Sequence, residues 1–418
     1  MIRLKTFIKM ICLLFLVITL GGCWDRKEIE KRAYVISIGL DKGTGDNLKI
    51  SYLIANPDYG TQQQGGGTNE PPQEIISFET GDIITAETKA NTVIAKEISY
   101  DLLRNIMVSE KLAKDKNFIR WLYDTTKERE IRRDVFLVVT KEDALKFFEQ
   151  NSPKLESRAH KYFDLIIRRG LETGLIPNSQ LHRYLRITES DADLFLAIYA
   201  TTEHNPEEEK PSTEGDNLFA GQFNTTGETN RTQFLGSVIF KEGTMIGKLT
   251  GEETRIANIL NDVEPAPEMV VSVPDPFNKN FRIAAKLKKL RKNKVDFKIK
   301  DQSGKLHITI PLRVDILTDQ SMVNYAKSLD KRNELKSYLE ERFSSKINKF
   351  IAKTQEEYKG EPFGWSLFAR KKFLTLPEYE KFNWEKQYPD MEISTKVEIT
   401  FGNFGRQSRM PKLKSVRE

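Results

Sequence analysis

Cysteine is nearly absent. The chain of 418 residues carries only Cys12 and Cys23, which allows no disulfide framework and no cysteine metal site in its body. Histidine is almost as scarce. His160, His182, His204 and His307 stand apart, and none forms the H-E-x-x-H pair that sets two imidazoles on one helix face. Beyond residue 22 no stretch reaches the roughly 18 uncharged apolar residues of a membrane-crossing helix. An excess of one charge is missing too: 66 basic residues meet 60 acidic ones, a balance that gives no support to nucleic-acid binding.

Catalytic signatures are equally thin. Gly243–Leu249 has the outline of a phosphate loop, but it is one residue short between its glycines. It also ends in Leu249, where a hydroxyl would have to meet Mg²⁺. Ser328-Leu329-Asp330-Lys331 fits S-x-x-K, yet no K-T-G follows. The first reads as a hairpin, the second as the cap of a helix. Carboxylates are too many for any pair to stand out. The sequence therefore argues against an enzyme and names no catalytic residue, metal ligand or cofactor.

What the chain does have is a leader. Arg3, Lys5 and Lys9 precede the uncharged run Met10–Leu20, which is too short to cross a bilayer but suits a cleaved export signal. Leu20-Gly21-Gly22-Cys23 follows, a lipobox. The expectation is cleavage after Gly22 and a diacylglyceryl group on the Cys23 thiol. One acyl chain binds a membrane only marginally, at roughly 10⁴ M⁻¹, whereas two anchor durably. Two further features suit a membrane surface. Trp24 adjoins the lipid, and indoles favour the headgroup level. Lys286–Lys294 (KLKKLRKNK) is strongly basic, and Lys288, Lys289 and Arg291 are its candidate headgroup contacts, at about 1 kcal/mol each near anionic lipid. The plainer reading of the same run is the solvated tip of a hairpin.

Patterning predicts an α+β protein of three mixed domains: a helix-flanked sheet over 24–190, a middle unit over 191–262, and a strand-rich unit with one long helix over 263–405. A basic tail, 406–418, follows. Strands are expected at 34–40, 48–55, 75–79, 134–140, 194–199, 233–240 and 244–249, with helices at 82–98, 110–123, 142–148 and 153–169. Thr250 and Glu253 have capping-box spacing. Further on, 268–273, 281–287, 295–299, 306–317 and 391–401 alternate as strands. Leu335, Leu339, Phe343, Ile347, Phe350 and Ile351 stripe a helix over 333–358. A glycine-glutamine segment (60–67) and an acidic one (203–216) read as loops.

Cys23-Trp24-Asp25 followed by Ala33-Tyr34-Val35-Ile36-Ser37-Ile38-Gly39-Leu40-Asp41 resembles the opening of the Ger(x)C spore germination lipoproteins. Arg104–Ala113, Leu235–Gly243 and Leu249–Glu253 resemble later family segments. The resemblance implies a three-domain protein on the outer face of the spore inner membrane. It also implies a complex with A-type and B-type integral membrane subunits of a nutrient germinant receptor. The family has no established catalytic residues. On these grounds the chain is expected to be a lipid-anchored, non-catalytic subunit that docks on membrane partners. One rival is a solute-binding lipoprotein serving a transporter, which the unlike halves disfavour. A second is a membrane-held cell-wall hydrolase, whose acid pair would have to be hidden.

Overall fold

The computed structural model describes Phe7, Met10 and residues 31–56, 73–190, 193–204, 216–300 and 303–405. Cys23, Trp24, the rest of the leader, the glycine-glutamine segment, residues 205–215 and the tail 406–418 lie outside the described residues.

Nine strands make the first sheet: β1 (Arg32–Lys42), β2 (Leu48–Ala55), β3 (Gln73–Thr80), β4 (Glu97–Ser99), β5 (Asn105–Ser109), β6 (Phe136–Thr140), β7 (Phe195–Thr201), β8 (Gln233–Lys241) and β9 (Thr244–Leu249). Their order is β3-β2-β1-β5-β6-β7-β8-β9, with β4 beside the start of β1. The centre, β1-β5-β6-β7, is parallel, and antiparallel strands extend it on both sides. The sequence shows why. Parallel strands covered on both faces need unbroken apolar runs, and β7 (FLAIYAT) is buried at every position.

The strands of the expected middle unit are therefore not set apart. β7, β8 and β9 continue the sheet that begins at residue 32, because β7 pairs in register with β6 from Val138↔Ile198 to Thr140↔Ala200.

Among the described residues seven α-helices accompany this sheet: α1 (Ile83–Ala90), α2 (Glu110–Ala113), α3 (Phe118–Asp124), α4 (Ala144–Gln150), α5 (Ala159–Thr173), α6 (Leu181–Thr188) and α7 (Gly251–Leu260). The apolar pattern overran at α1, which ends at Ala90; Val93 is exposed and Ile98 enters β4. The single helix expected over 110–123 breaks in two, and the Asp115 carboxylate accepts the Asn117 N–H in the gap. Helix α6 went unforeseen. The capping box of α7 is complete: Thr250 Oγ1 accepts from Glu253 N, and Glu253 Oε2 accepts from Thr250 N at 2.9 Å.

One face of the sheet packs Leu40, Ile50, Tyr52, Val108, Val139 and Phe240 against helices that include α3 and α6. The other face is divided. Ile36, Met107, Val138 and Ile198 meet α4 and α5, whereas Leu194, Leu196, Ile239 and Leu249 share a core with the second half of the chain.

Asp41 ties α4 to the sheet. It closes the buried part of β1, and its carboxylate accepts the N–H groups of Ala144 at 2.8 Å and Leu145 at 3.3 Å. The formal N-cap, Asp143, makes no side-chain bond. Gly39 permits the approach, since a Cβ there would lie 2.8 Å from that of Ala144. Asp41→Ala is expected to cost about 1–2 kcal/mol in urea unfolding, the usual range for a lost cap.

The second half holds a five-stranded sheet of β10 (Met269–Pro274), β11 (Arg282–Lys289), β12 (Lys294–Lys300), β13 (Ser303–Asp319) and β14 (Glu392–Phe404). β13 pairs with β11 and β12 on one side and with β14, in parallel, on the other. The long helix α8 (Leu329–Lys353) buries Leu335, Leu339, Ile347, Phe350 and Ile351 on this sheet and ends in a π-turn, Thr354–Tyr358. Short helices α9 (Trp365–Arg370), α10 (Leu376–Phe382) and α11 (Trp384–Gln387) fill the return to β14.

The free side of β14 is not bare. Three residues at helical four-residue spacing on α8 face it: Glu340 Oε1 accepts Ile399 N at 2.8 Å, Ser344 Oγ accepts Val397 N at 3.4 Å, and Asn348 Oδ1 accepts Thr395 Oγ1 at 2.7 Å.

Candidate functional site

The two halves meet where α8 runs out. Tyr358 lies on β9, and a Cβ on Gly247 would come within 2.6 Å of its ring. Acids in the first turn of α7 receive lysines of α8: Lys353 reaches Glu253 at 2.9 Å, and Lys346 pairs with Glu252. Beside this joint opens a cleft of about 720 Å³. Its walls come from the α5–α6 connection, the start of β7, the end of α7, the linker 261–268 and the turn before α9.

Two polar clusters organise the cleft. In one, Arg183 of α6 pairs with Glu264 of the linker, and Asn178 Nδ2 donates to the same carboxylate at 3.0 Å. Burial pulls the Arg183 guanidinium down to about 10, helped by the charge of Arg186 one turn on. In the other, Asp193 and Glu361 meet at a parallel β-bridge, with Leu194 N donating to Glu361 O at 2.9 Å. Ser366 Oγ donates to Asp193 at 2.7 Å; the N–H groups of Phe363 and Ser366 donate to Glu361 at 2.6 and 2.9 Å. Burial pushes both carboxyls up, Glu361 most strongly because Asp193 is also beside it. Arg186 favours the charged form of Asp193, so Glu361 keeps the proton and shares it with its neighbour. Two acids held by one proton fasten the first sheet to the second half of the chain.

No imidazole lines this cleft, and Ser366 gives its hydroxyl hydrogen to a carboxylate as a fastening. The arrangement can bind; no activated nucleophile lines it. Among the described residues no three His, Cys, Asp or Glu side chains gather as metal ligands, and no helix is long and apolar enough to cross a membrane. His307 Nδ1 meets Ser394 Oγ at 2.9 Å on the second sheet, away from the cleft.

The basic run 286–294 is not the tip of a hairpin: it spans the break between β11 and β12, which pair with successive stretches of β13 and not with each other, and the structure divides its charges. Lys286 and Lys288 pair with Glu268, whose carboxyl is held down to about 2 by hydrogen bonds from those two lysines. Arg291 is exposed at the turn. Lys289 is a correction to the expected surface cation. Its side chain is 9 % exposed, and Nζ donates to Asp262 at 2.5 Å and to Ile259 O at 2.8 Å. Strand alternation turns it inward between Lys288 and Leu290. Cys23 and Trp24 lie outside the described residues. The carboxyl pair escaped sequence reading because Asp193 and Glu361 lie far apart in the chain and neither stands in a motif.

Comparison with known proteins divides the chain between β7 and β8, inside the first sheet. A family described as spore germination protein N-terminal domain matches residues 25–201, and one described as spore germination B3/GerAC like, C-terminal, matches 235–405. The chain belongs to the Ger(x)C spore germination family. Spore germination protein B3 of Bacillus subtilis (strain 168) is 21 % identical over 410 residues, 96 % of this chain and 99 % of that protein. Spore germination protein KC of the same organism is 30 % identical over 131 residues, 31 % of this chain and 32 % of its own length. The crystal structure of the GerBC protein shares the fold, with a TM-score of 0.52 at 16 % identity, covering 88 % of this chain and 97 % of that one.

The segments that carried the family resemblance are structural. Ser37 bonds to Asn105 between β1 and β5, and Ser37↔Asn105 starts that parallel register. Gly236 has φ +83, and a Cβ there would lie 2.4 Å from Leu249 O, so a side chain would strain β8 against β9. Within the described residues, the matching segments supply strands β1, β5 and β8, helix α2 and the start of α7.

Proposed function

We propose that this Ger(x)C protein is a lipid-anchored, non-catalytic subunit of a nutrient germinant receptor, held at the outer face of the spore inner membrane. A role in spore germination follows from the family; the anchor, the location and the partners are our reading. The observation that carries it is the match to germination proteins along nearly the whole chain, joined to the lipobox at Cys23. The mechanism is tethering. Two acyl chains keep the body beside A-type and B-type integral membrane subunits and raise their effective concentration. Trp24, Lys288 and Arg291 would steady the body at the headgroups; Lys289, buried, takes no part.

Cys23→Ala is expected to move the protein from the spore membrane fraction to the soluble fraction and to abolish palmitate labelling. The nutrient response should slow by roughly tenfold or more as the tether is lost. Crosslinking in spores followed by identification of the attached membrane proteins tests the partners. Normal germination with an unlabelled, soluble protein at native abundance would refute the reading.

A further inference from the structure

A second hollow lies away from the cleft, between α7, α8 and the face of β10 and β11, with a volume of about 210 Å³. Its wall includes Ile256, Val271, Leu287, Leu312, Phe343 and Ile347. Protein interiors rarely leave a void larger than a water molecule, and an apolar one does not attract water. An apolar hollow of about 150 Å³ admits benzene, so this one suits a chain of roughly six to eight carbons.

Its rim is basic. Arg255 is occupied: it pairs with Asp216, and its nitrogens donate to Val270 O and Thr173 O at 3.0 Å. Lys346 is paired with Glu252. Arg342 differs, since among the described residues no ion pair holds it and its Nε is shielded from water without an acceptor. An apolar hollow with one uncommitted guanidinium at its margin matches an amphiphile with one negative head.

We propose that this hollow binds an aliphatic monocarboxylate of six to eight carbons, its chain between α7, α8 and β10–β11 and its head on Arg342. The proposal is independent of the anchoring and docking described above.

Equilibrium dialysis of labelled octanoate against the full-length protein in lipid nanodiscs, with empty nanodiscs subtracted, tests it. One octanoate per chain should bind saturably, and unlabelled octanoate should displace it about tenfold better than 1-octanol, which lacks the charge. Arg342→Gln should weaken octanoate about tenfold, with the melting temperature kept. Ala284→Leu, which fills the hollow from β11, should abolish binding while the melting temperature holds or rises. The absence of saturable binding at millimolar octanoate overturns the proposal. So does equal competition by octanol, an unchanged affinity in Arg342→Gln, or an unchanged affinity in Ala284→Leu.

Discussion

Glu361→Gln is expected to remove most of the loss of stability that the wild-type protein suffers as the pH rises above about 5. The sign follows from the raised carboxyl. An unfolded chain releases this proton near the ordinary value of 4.5, whereas the folded protein holds it to a higher pH. Between those two values the folded state binds the extra proton, so stability is greatest at the acid side. It falls by up to about 1.4 kcal/mol per pH unit across that interval and levels off once the folded group titrates. The amide can donate to Asp193 without titrating, so the slope should flatten. The groups around the pair are Arg186, Arg370, Tyr379 and Ser366; of these Arg186 holds Asp193 charged and stays constant over the range. Urea unfolding of the two proteins from pH 5 to 8 decides the matter: equal slopes would mean that the pair shares no proton. Glu361→Ala should instead destabilise at every pH, because it leaves the buried N–H groups of Phe363 and Ser366 without acceptors, at about 1–3 kcal/mol each.

Lys289→Ala should cost about 3–5 kcal/mol, the range for removing one partner of a buried ion pair. Asp262, 2 % exposed in its side chain, would keep the Asn293 N–H but lose its cation. The carbonyls of Ile259 and Asn261 at the end of α7 would lose a donor as well. Arg291→Ala, two residues on at the exposed turn, should stay within about 0.5 kcal/mol. Thermal melts of the two variants side by side measure the difference. Similar melting temperatures would mean that Lys289 bears no more load than its solvated neighbour.

The contrast between Lys289 and Arg291 shows what the sequence revealed and what it withheld. Every strand expected from apolar runs or alternation is present, because those patterns record burial directly. Helix ends were less legible: the run 82–98 kept its apolar spacing past Ala90, yet Ile98 serves a strand beside β1. α6 was hidden because its polar positions include Arg183, whose role depends on Glu264 across the cleft. The limits of the middle unit were misleading for a similar reason. The acidic segment interrupts the chain between β7 and β8, but the two strands pair across it from Phe195↔Phe240 onward. Charge clusters were legible as composition and opaque as geometry, since a lysine reads alike whether it meets solvent or a buried aspartate. The carboxyl pair could not be found at all by spacing, because it exists only once both halves are folded.

The guard that α8 keeps over β14 has a consequence for assembly. Glu340 and Ser344 take up the N–H groups of Ile399 and Val397, and Asn348 the Thr395 hydroxyl, so an incoming strand finds the middle of β14 already engaged. A partner at that flank must therefore be recognised through side chains and contour more than through backbone pairing.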